Sequence, residues 1–389
     1  MKTNFVDQDS NTTFTVDRDG ESWLFEDGHR FTSATGAAVD VVDHEDVTII
    51  LEGHAETTAD ASGAIESEGK GTTVVVVKGG TVDALNTGIV LNGEDAELDN
   101  RGRIEGGVYG VYSTGDGSHL SNDGFIKGGT IGVQVAGADS SLANLHGAEI
   151  QGTVVLAAQA GETTWFTNHG KVVASTSIIG GVSDDIIHNR GQFSGLVALG
   201  DGHDLLDTRG GTLSVAGVHG EVGDDTLIVD NASHHLVEAA NEGFDTVNST
   251  VSYTLSDNVE RLILLGKKDI DGTGDDDGNE LYGNKVDNTL SGLGANDILD
   301  GGRGNDHLIG GDGNDTFVFG SRDDMDTIVD FTHGEDVIDL SGWKKVDDFD
   351  AFLKHAEDHG DDLWIIAGKD MLVIEDQHKA DMHADDFMF

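Results

Sequence analysis

Residues 301–318 read GGRGNDHLIGGDGNDTFV, two consecutive nonapeptides with the shared pattern G-G-x-G-x-D-x-U-x, in which U is a large apolar residue. The glycines can adopt left-handed backbone angles without steric cost, so the chain can turn tightly. The aspartates at the sixth position, Asp306 and Asp315, supply hard anionic oxygens of the kind that Ca²⁺ prefers. Leu308 and Phe317 follow two places later and are expected on short strands that point into a core. This stretch predicts stacked turns that bind Ca²⁺.

Less regular copies of the same pattern precede the two perfect nonapeptides. The copy at 292–300 keeps Asp297 but has Ala295 in place of the fourth-position glycine. Two earlier copies carry Asn279 and Asn288 where aspartate belongs. An amide offers only a neutral oxygen, so we expect weak or empty sites there, and we expect the regular calcium turns at the C-terminal end of the repeat.

The nonapeptides resemble those of the repeats-in-toxin (RTX) proteins of Gram-negative bacteria, also known as hemolysin-type calcium-binding repeats. In that family the repeats wind into a parallel β-roll, and several Ca²⁺ ions lie between turns that are two repeats apart. The resemblance implies that Asp297 faces Asp315 across one ion and that Asp306 shares another with Asp324. The metal-site residues implied in the roll are Asp297, Gly301, Gly302, Arg303, Gly304, Asp306, Gly310, Gly311, Asp312, Gly313, Asp315 and Asp324.

Composition excludes several classes of protein. The chain has 389 residues with no cysteine and no proline, which excludes a disulfide framework and suits stacked strands in which every N–H donates to a ladder. The formal net charge is −51, from 73 acidic and 22 basic residues. This charge excludes nucleic acid as a partner, because phosphate binding needs clustered Lys and Arg. Such dense charge repels itself in a compact state, so composition also predicts a need for divalent cations.

The termini bear on localisation. No apolar run approaches the roughly 18 residues of a transmembrane helix, and the first residues lack the apolar segment of a cleavable signal peptide. Residues 336–389, with an acidic and then apolar end at 385–389, resemble the C-terminal region of serralysin-like proteins exported by type I secretion. The resemblance implies a type I exporter as partner and a secreted, extracellular or cell-surface protein.

A second repeat, with a period near 22 residues, precedes the nonapeptides. Its core is U-x-N-x-G-x-U, centred on Asn100, Asn122, Asn144, Asn168 and Asn189, and then on Thr208. Such a period with short β-runs is typical of a parallel β-helix, whose coils stack about 4.8 Å apart. Asparagine readily hydrogen-bonds backbone groups, so we expect a ladder of stacked asparagines. A β-sandwich is the alternative, although it would not keep so regular a period.

Nonapeptide-like segments also occur once per coil near the end of this second repeat. They are 180–185, 199–204 and 220–225, which end in Asp185, Asp204 and Asp225. These aspartates are expected to stack on one edge of the coils and to bind Ca²⁺ there. Solvated acidic turns are the alternative interpretation.

Together the patterns predict an all-β fold, in which a right-handed parallel β-helix continues into a calcium-binding parallel β-roll with a small C-terminal cap of strands and one helix. The predicted domains are an N-terminal β cap at 1–45, the β-helix at 46–225, a connecting β segment at 226–270, the RTX β-roll at 271–335, and the C-terminal cap with its secretion signal at 336–389. The apolar spacing over 347–358 predicts the helix.

Two histidines, His355 and His359, lie four residues apart on this predicted helix, a spacing that can bind Zn²⁺. The metalloprotease motif needs glutamate directly after the first histidine, where Ala356 stands. We therefore interpret both as surface histidines.

Two functions fit these features. The first is a secreted calcium-binding protein that folds outside the cell and has a structural or adhesive role. The alternative is a polysaccharide-modifying enzyme (a lyase, epimerase or glycosidase) on the outer face of the β-helix, with extracellular polysaccharide as partner. No catalytic residue is assigned. The candidate sugar-binding strip is Arg101, Asp123, His146, His169, Arg190 and Arg209, and a second candidate is Tyr109, Tyr112 and His119.

Overall fold

The computed structural model describes residues 3–42, 44–60, 63–214 and 217–389. Three residues of the predicted N-terminal cap (1, 2 and 43) and four of the predicted β-helix (61, 62, 215 and 216) therefore lie outside the described part. The chain divides into two compact units, Met1–Gly223 and Asp224–Phe389. Each unit is built almost entirely of short strands in parallel ladders. The prediction of an all-β parallel solenoid is confirmed.

In the first unit each coil contributes strands to three parallel ladders, each strand pairing with the equivalent strand of the next coil. The first ladder consists of Thr3–Val6, Ser22–Phe25, Thr48–Leu51, Thr73–Val76, Glu97–Asn100, His119–Asn122, Ser140–Asn144, Thr163–Asn168, Asp184–Asn189 and Leu205–Asp207. The second consists of Arg30–Ser33, His54–Thr57, Thr81–Ala84, Arg103–Gly106, Phe125–Val135, Glu149–Leu156, Lys171–Val173, Gln192–Phe193 and Thr212–Leu213.

The third ladder consists of Phe14–Val16, Val39–Val41, Gly63–Ser67, Thr87–Leu91, Tyr109–Ser113, Thr176–Ile179, Leu196–Ala198 and Gly217–His219. The long strands Phe125–Val135 and Glu149–Leu156 belong to both the second and the third ladder. Because the strands of residues 1–45 pair within these ladders, they form the first coils of the solenoid and not a separate cap.

The core of the first unit follows from the alternation of apolar and polar residues along each strand. Leu98, Leu120 and Leu142 pair across successive coils and are buried. Further along, Phe166 and Phe193 are buried and stack with ring centroids 5.8 Å apart. Burial of each such side chain contributes roughly 1.5–3 kcal/mol, so the stacked apolar columns hold the coils together.

The predicted asparagine ladder is confirmed. Asn100 Nδ2 donates to Asn122 Oδ1 (2.7 Å), which lies 22 residues later. The same bond links Asn122 to Asn144 (2.9 Å), Asn144 to Asn168 (2.8 Å) and Asn168 to Asn189 (2.8 Å). All five side chains are buried, and their Nδ2 atoms also donate to main-chain carbonyls such as that of Phe125. Each side-chain amide thus provides hydrogen-bond partners for the amides of the neighbouring coils inside the solenoid.

The second unit has two strands per coil, which shortens the repeat to 18 residues in its regular part. One sheet consists of Thr226–Val229, Thr246–Ser249, Arg261–Leu264, Glu280–Tyr282, Ile298–Asp300, Thr316–Val318, Val337–Asp339 and Phe387–Met388. The other consists of Tyr253–Thr254, Gly272–Thr273, Thr289–Gly294, His307–Asp312, Met325–Ile328, Asp370–Ile374, Asp362–Ala367 and Ala356–His359. The short strand His235–Val237 lies near the start of the unit.

The C-terminal part closes the second unit with one α-helix, Phe349–His355, and one 3₁₀-helix, Ala384–Asp386. The α-helix is shorter than predicted, because Ala356–His359 forms a strand that pairs antiparallel with Asp362–Ala367 around a turn at Gly360 (φ 75°). His355 and His359 therefore lie on different elements and do not form a helical pair. Among the described residues, no helix is both long and apolar enough to cross a membrane.

Candidate calcium-binding turns

One column of aspartates runs along the turns that enter the first sheet of the second unit. The N–H of Asp297 donates to Asp315 Oδ1 (2.8 Å), and the N–H of Asp315 donates to Asp336 Oδ1 (2.9 Å). All three carboxylates are buried. The predicted proximity of Asp297 and Asp315 is confirmed, and Asp336 extends the column by one coil.

A second column runs along the turns that enter the other sheet. The N–H of Asn288 donates to Asp306 Oδ1 (2.7 Å), and the N–H of Asp306 donates to Asp326 Oδ1 (3.0 Å). Asp306 was expected to share an ion with Asp324, but the structure places Asp326 beside Asp306 instead. This coil is two residues longer than the regular repeat, so Asp324 pairs with Gly304 and remains exposed.

The second carboxylate oxygen in these columns has a different environment. Oδ2 of Asp297, Asp306, Asp315 and Asp326 is buried and has no hydrogen-bond partner. Buried polar atoms in proteins are nearly always paired, and an unpaired buried charge costs several kcal/mol. Two parallel rows of such oxygens on successive coils fit a hard divalent cation that takes oxygen ligands.

The protonation behaviour agrees with this environment. Burial raises the pKa of Asp297 and of Asp306 to about 7, with a further contribution from neighbouring carboxylates. Burial also raises the pKa of Asp326 to about 9. The shifts have the sign expected for carboxylates that lack a positive partner.

The glycines of the nonapeptide have two separate roles. At the first position, a Cβ atom on Gly301 or Gly310 would overlap Oδ2 of the aspartate five residues later, Asp306 or Asp315, so only glycine leaves room for the carboxylate. At the second and fourth positions glycine is required by the backbone angle. The φ values there are 84° and 129° at Gly302 and Gly304, and 103° and 149° at Gly311 and Gly313.

Arg303 and Asp312, at the third position, have exposed side chains. They lie in the turns, but their side chains are outside the rows of buried oxygens. The side chains at this position are therefore not among the buried oxygens that lack a partner.

In the two repeat copies that carry asparagine in place of aspartate, the asparagine side chain hydrogen-bonds to main-chain groups. Asn279 Oδ1 accepts from the N–H of Asp275 (2.7 Å), and its Nδ2 donates to the carbonyl of Val259 (3.1 Å). Asn288 makes the equivalent pair of bonds, with Nδ2 donating to the carbonyl of Ile270 (2.6 Å). This pattern supports the expectation of weak or empty sites at these two positions.

In the first unit, Asp185 and Asp204 lie next to each other as expected. The N–H of Asp185 donates to Asp204 Oδ1 (2.6 Å), while Asp185 Oδ1 accepts from the hydroxyls of Thr164 and Ser183. Asp185 Oδ2 is buried without a partner, and burial raises the pKa of Asp185 to about 6.

Asp225 belongs to the second unit, where it joins a cluster of three buried carboxylates. One oxygen from each of Asp225, Glu238 and Asp245 lies within 4.8 Å of the others. The N–H of Asp225 donates to Asp245 Oδ1 (2.8 Å), and burial raises the pKa of Asp245 to about 6. Sequence reasoning missed Glu238, Asp245, Asp326 and Asp336, because none of them stands in a well-formed nonapeptide.

The candidate sugar-binding strip is only partly aligned. The position between Asp123 and His169 on successive coils is occupied by Leu145 and not by His146, because the third copy of the motif is longer. Arg190 and Arg209 both bind Asp207 Oδ2 (2.6 and 2.7 Å). Although burial acts to raise the pKa of Asp207, the hydrogen bonds from Arg209 and Arg190 outweigh it and hold that pKa well below its usual range.

The second sugar-binding candidate is divided between two faces. The rings of Tyr109 and Tyr112 pack edge to face (5.3 Å) on the third ladder, whereas His119 lies on the first ladder. His119 instead helps to line a groove of about 660 Å³ on the first ladder. The polar side chains of this groove include Glu97, Asp99, Arg101, His119 and Asp123.

Comparison with known proteins identifies the nonapeptides. Residues 273–308, 282–317 and 291–325 match the RTX calcium-binding nonapeptide repeat. Over 221 residues the chain is 34% identical to the endo-1,3-1,4-beta-glycanase ExsH of Rhizobium meliloti (strain 1021). That match covers 55% of this chain and 45% of the glycanase, so the chain spans less than half of this relative's length.

Among solved structures, the extracellular lipase LipA from Serratia marcescens is similar to 64% of this chain, with 15% identity, 40% of the lipase covered and a TM-score of 0.21. The resemblance of the nonapeptides to the RTX family is confirmed by the match of their sequence. The chain therefore carries RTX calcium-binding repeats within residues 273–325.

Proposed function

We propose that this chain belongs to a secreted protein whose RTX repeats couple folding to Ca²⁺ outside the cell, and which then has a structural or adhesive role at the cell surface or in the extracellular matrix. The observation that carries the calcium part is the pair of rows of buried aspartate oxygens without partners, at Asp297, Asp306, Asp315 and Asp326. The repeat match over residues 273–325 supports the same conclusion.

The residues themselves explain why folding and binding are coupled. A main-chain N–H of one coil holds Oδ1 of the aspartate in the next coil, and the first-position glycine makes room for Oδ2. When bound, Ca²⁺ supplies the positive charge that offsets the burial of these carboxylates. A ligand that binds only the folded state stabilises it by about 2.7 kcal/mol per site at a hundred times its Kd.

The low calcium of a cytosol would leave this charge uncompensated, so the repeats would stay unfolded and competent for export. We assign recognition by a type I exporter to residues 336–389, supported by their resemblance to the C-terminal region of exported serralysin-like proteins. The net charge of −51 supports the same order of events, because self-repulsion opposes folding until cations bind.

The calcium proposal is tested by circular dichroism and thermal unfolding in Ca²⁺ and in EGTA, with NaCl added to equal ionic strength. We expect chelation to lower the melting temperature of the second unit sharply. The double variant Asp306→Ala and Asp315→Ala should bind fewer Ca²⁺ ions, whereas Asp312→Ala, with its exposed side chain, should bind as many as the natural chain. Unchanged melting in EGTA, or unchanged stoichiometry in the double variant, would contradict the proposal.

A second candidate function is modification of a polysaccharide, supported by the groove on the first ladder. Its lining combines the carboxylates Glu97, Asp99 and Asp123 with Arg101 and His119. Paired carboxylates perform acid–base chemistry on glycosidic bonds, and an arginine can neutralise a uronate. The 34% identity to an endo-1,3-1,4-beta-glycanase over part of the chain makes beta-glucan the first substrate to test.

An assay on 1,3-1,4-beta-glucan and on polyuronates distinguishes the two candidates. An enzyme should release reducing ends or ultraviolet-absorbing unsaturated product, and Glu97→Gln with Asp99→Asn should abolish that release while calcium-dependent folding is retained. An adhesive protein should bind glycans or cells in the presence of Ca²⁺ without turnover. Turnover that the groove variants do not affect would exclude the groove as the active site.

A further inference from the structure

A cluster of two histidines and one aspartate lies in the C-terminal part of the second unit. One ligand atom from each of His333, His383 and Asp386 lies within 4.8 Å of the other two. His333 precedes the strand Val337–Asp339, whereas His383 and Asp386 lie next to the last strand, Phe387–Met388. His333 follows shortly after the nonapeptides, whereas His383 and Asp386 come from the far end of the chain.

The aspartate of the cluster is fixed in place. The Asp386 side chain is 2% exposed, and its Oδ2 accepts from the N–H of His383 (2.6 Å). Its other oxygen, Oδ1, lies 2.6 Å from His333 Nδ1. Carboxylates that bind metals are themselves held by hydrogen bonds, as Asp386 is by the N–H of His383.

The two imidazoles are placed together on the exposed side of this carboxylate. Their rings stack with centroids 4.6 Å apart and an interplanar angle of 28°. An ion pair between His333 and Asp386 alone would require only one imidazole. The second imidazole, stacked on the first beside the same buried carboxylate, completes a ligand set of two nitrogens and one oxygen for a metal ion.

We propose that His333, His383 and Asp386 bind a transition-metal ion of the Zn²⁺ class, with ligands other than the rows of buried aspartate oxygens. Imidazole nitrogen suits Zn²⁺, Ni²⁺ and Cu²⁺, whereas Ca²⁺ takes oxygen ligands. Ligands lie about 2.0–2.2 Å from Zn²⁺, so the three ligand atoms, which lie within 4.8 Å of one another, are near the spacing that a shared ion requires. Three protein ligands on an exposed surface leave a fourth position for water.

Such an ion would fasten the last strand to the rest of the unit. Phe387–Met388 pairs with only two residues, Ile338 and Asp339. Phe387 also packs against Phe352 of the helix, with ring centroids 4.4 Å apart. Because His333 and Asp386 lie 53 residues apart in the chain, a shared ion would close a long loop across this short pairing.

The experiment titrates the full chain, in saturating Ca²⁺, with Zn²⁺ by calorimetry and with Co²⁺ by visible absorption. We expect one tight equivalent, which His333→Ala and His383→Ala each weaken at least tenfold. The control His359→Ala removes a half-exposed histidine that stacks on Trp364 (4.2 Å), and it should leave this equivalent unchanged.

In Ca²⁺, addition of Zn²⁺ should also raise the melting temperature of the natural chain and of His359→Ala. It should not raise the melting temperature of the two cluster variants. Circular dichroism in Ca²⁺ checks that the variants fold. The proposal is overturned if the natural chain binds Zn²⁺ no more tightly than the cluster variants. Because Ca²⁺ is saturating throughout, that outcome would leave the calcium proposal standing.

Discussion

At the scale of the residue, each position of the nonapeptide meets a separate physical demand. The first glycine leaves room for a carboxylate oxygen, the second and fourth turn the chain through left-handed angles, and the aspartate accepts an N–H from the neighbouring coil. The copy at 292–300 departs from this scheme. Leu293 and Ala295 occupy the second and fourth positions with φ values of 82° and 62°.

Glycine at these two positions should stabilise the second unit. A non-glycine residue in the left-handed region costs roughly 1–2 kcal/mol, and the greater freedom of glycine in the unfolded chain takes back about 0.4–1 kcal/mol. We expect Leu293→Gly and Ala295→Gly each to raise the free energy of unfolding by up to about 1 kcal/mol, measured by urea denaturation in Ca²⁺.

The matched control for these variants is Gly266→Ala. Gly266 has a φ of 96° and no atom within 4 Å of an added Cβ, so the substitution introduces backbone strain alone. It should lower the free energy of unfolding by a similar amount. Lower stability in both glycine variants would show that the left-handed angles at 293 and 295 are not strained.

At the scale of the element, the two units connect successive coils through different side chains. Both bridge successive coils through a buried side chain, by asparagine in the first unit and mainly by aspartate in the second. An amide carries both donors and acceptors, so a column of amides satisfies itself. A carboxylate carries only acceptors, and therefore a column of carboxylates needs a cation.

This contrast predicts the effect of Asp306→Asn. The variant removes a buried charge, and its amide can donate to a carbonyl as Asn288 Nδ2 does. We expect its melting temperature in EGTA to rise and the further rise caused by Ca²⁺ to shrink. Asp312→Asn, which changes an exposed residue of the same repeat, should alter neither value. A variant that loses stability in EGTA would contradict this account.

Removal of one amide from the ladder should destabilise the first unit. Asn144→Ala removes the Oδ1 that accepts from Asn122 Nδ2, which keeps only its longer bond to the carbonyl of Glu149, and it removes the donor to Asn168 Oδ1. Unpaired buried groups cost about 1–3 kcal/mol each, so we expect a loss of about 2–5 kcal/mol. Tryptophan fluorescence during urea unfolding, to which Trp23 and Trp165 of the first unit contribute, measures this loss.

The control for the ladder variant is Ala143→Ser, on the same strand but at a half-buried position beside the ladder. It should change the stability by less than about 0.5 kcal/mol. Equal losses in the two variants would mean that the strand, and not the amide bridge, determines the effect.

At the scale of the whole molecule, the acidic composition sets the dependence on pH. In the calcium-free chain the folded pKa values of Asp297 and Asp306 are about 7, and that of Asp326 is about 9, whereas an unperturbed aspartate has a pKa of about 3.9. Between these values the folded state binds more protons than the unfolded state, so stability falls as the pH rises.

We therefore expect the melting temperature in EGTA to fall steadily from pH 5 to pH 8. In saturating Ca²⁺ the melting temperature should stay constant or increase over the same pH range, because the ion competes with protons for the same carboxylates. Calorimetric scans at each pH, at constant ionic strength, measure both trends. Melting that is independent of pH in EGTA would show that the buried carboxylates are not shifted in the folded chain.

Much of this architecture follows from local repetition, which is why sequence alone predicted it. The glycine and aspartate spacing of the nonapeptides determines a turn and a short strand without reference to distant residues. The period near 22 residues likewise predicted the coils, and the recurrence of asparagine predicted the buried ladder. The identity of the aspartates at 297, 306 and 315 as column residues needed no tertiary information.

The tertiary structure decided which residues meet across coils. A coil lengthened by two residues places Asp326, and not Asp324, beside Asp306, because strand pairing sets the register and loop length adapts to it. A separate, antiparallel pairing with Asp362–Ala367 made the end of the predicted helix a strand. His333 and Asp386 come together only because the last strand returns to Val337–Asp339. The repeated sequence thus determined the turns, whereas inter-coil register and chain return, which depend on packing between distant segments, determined the neighbours of each site.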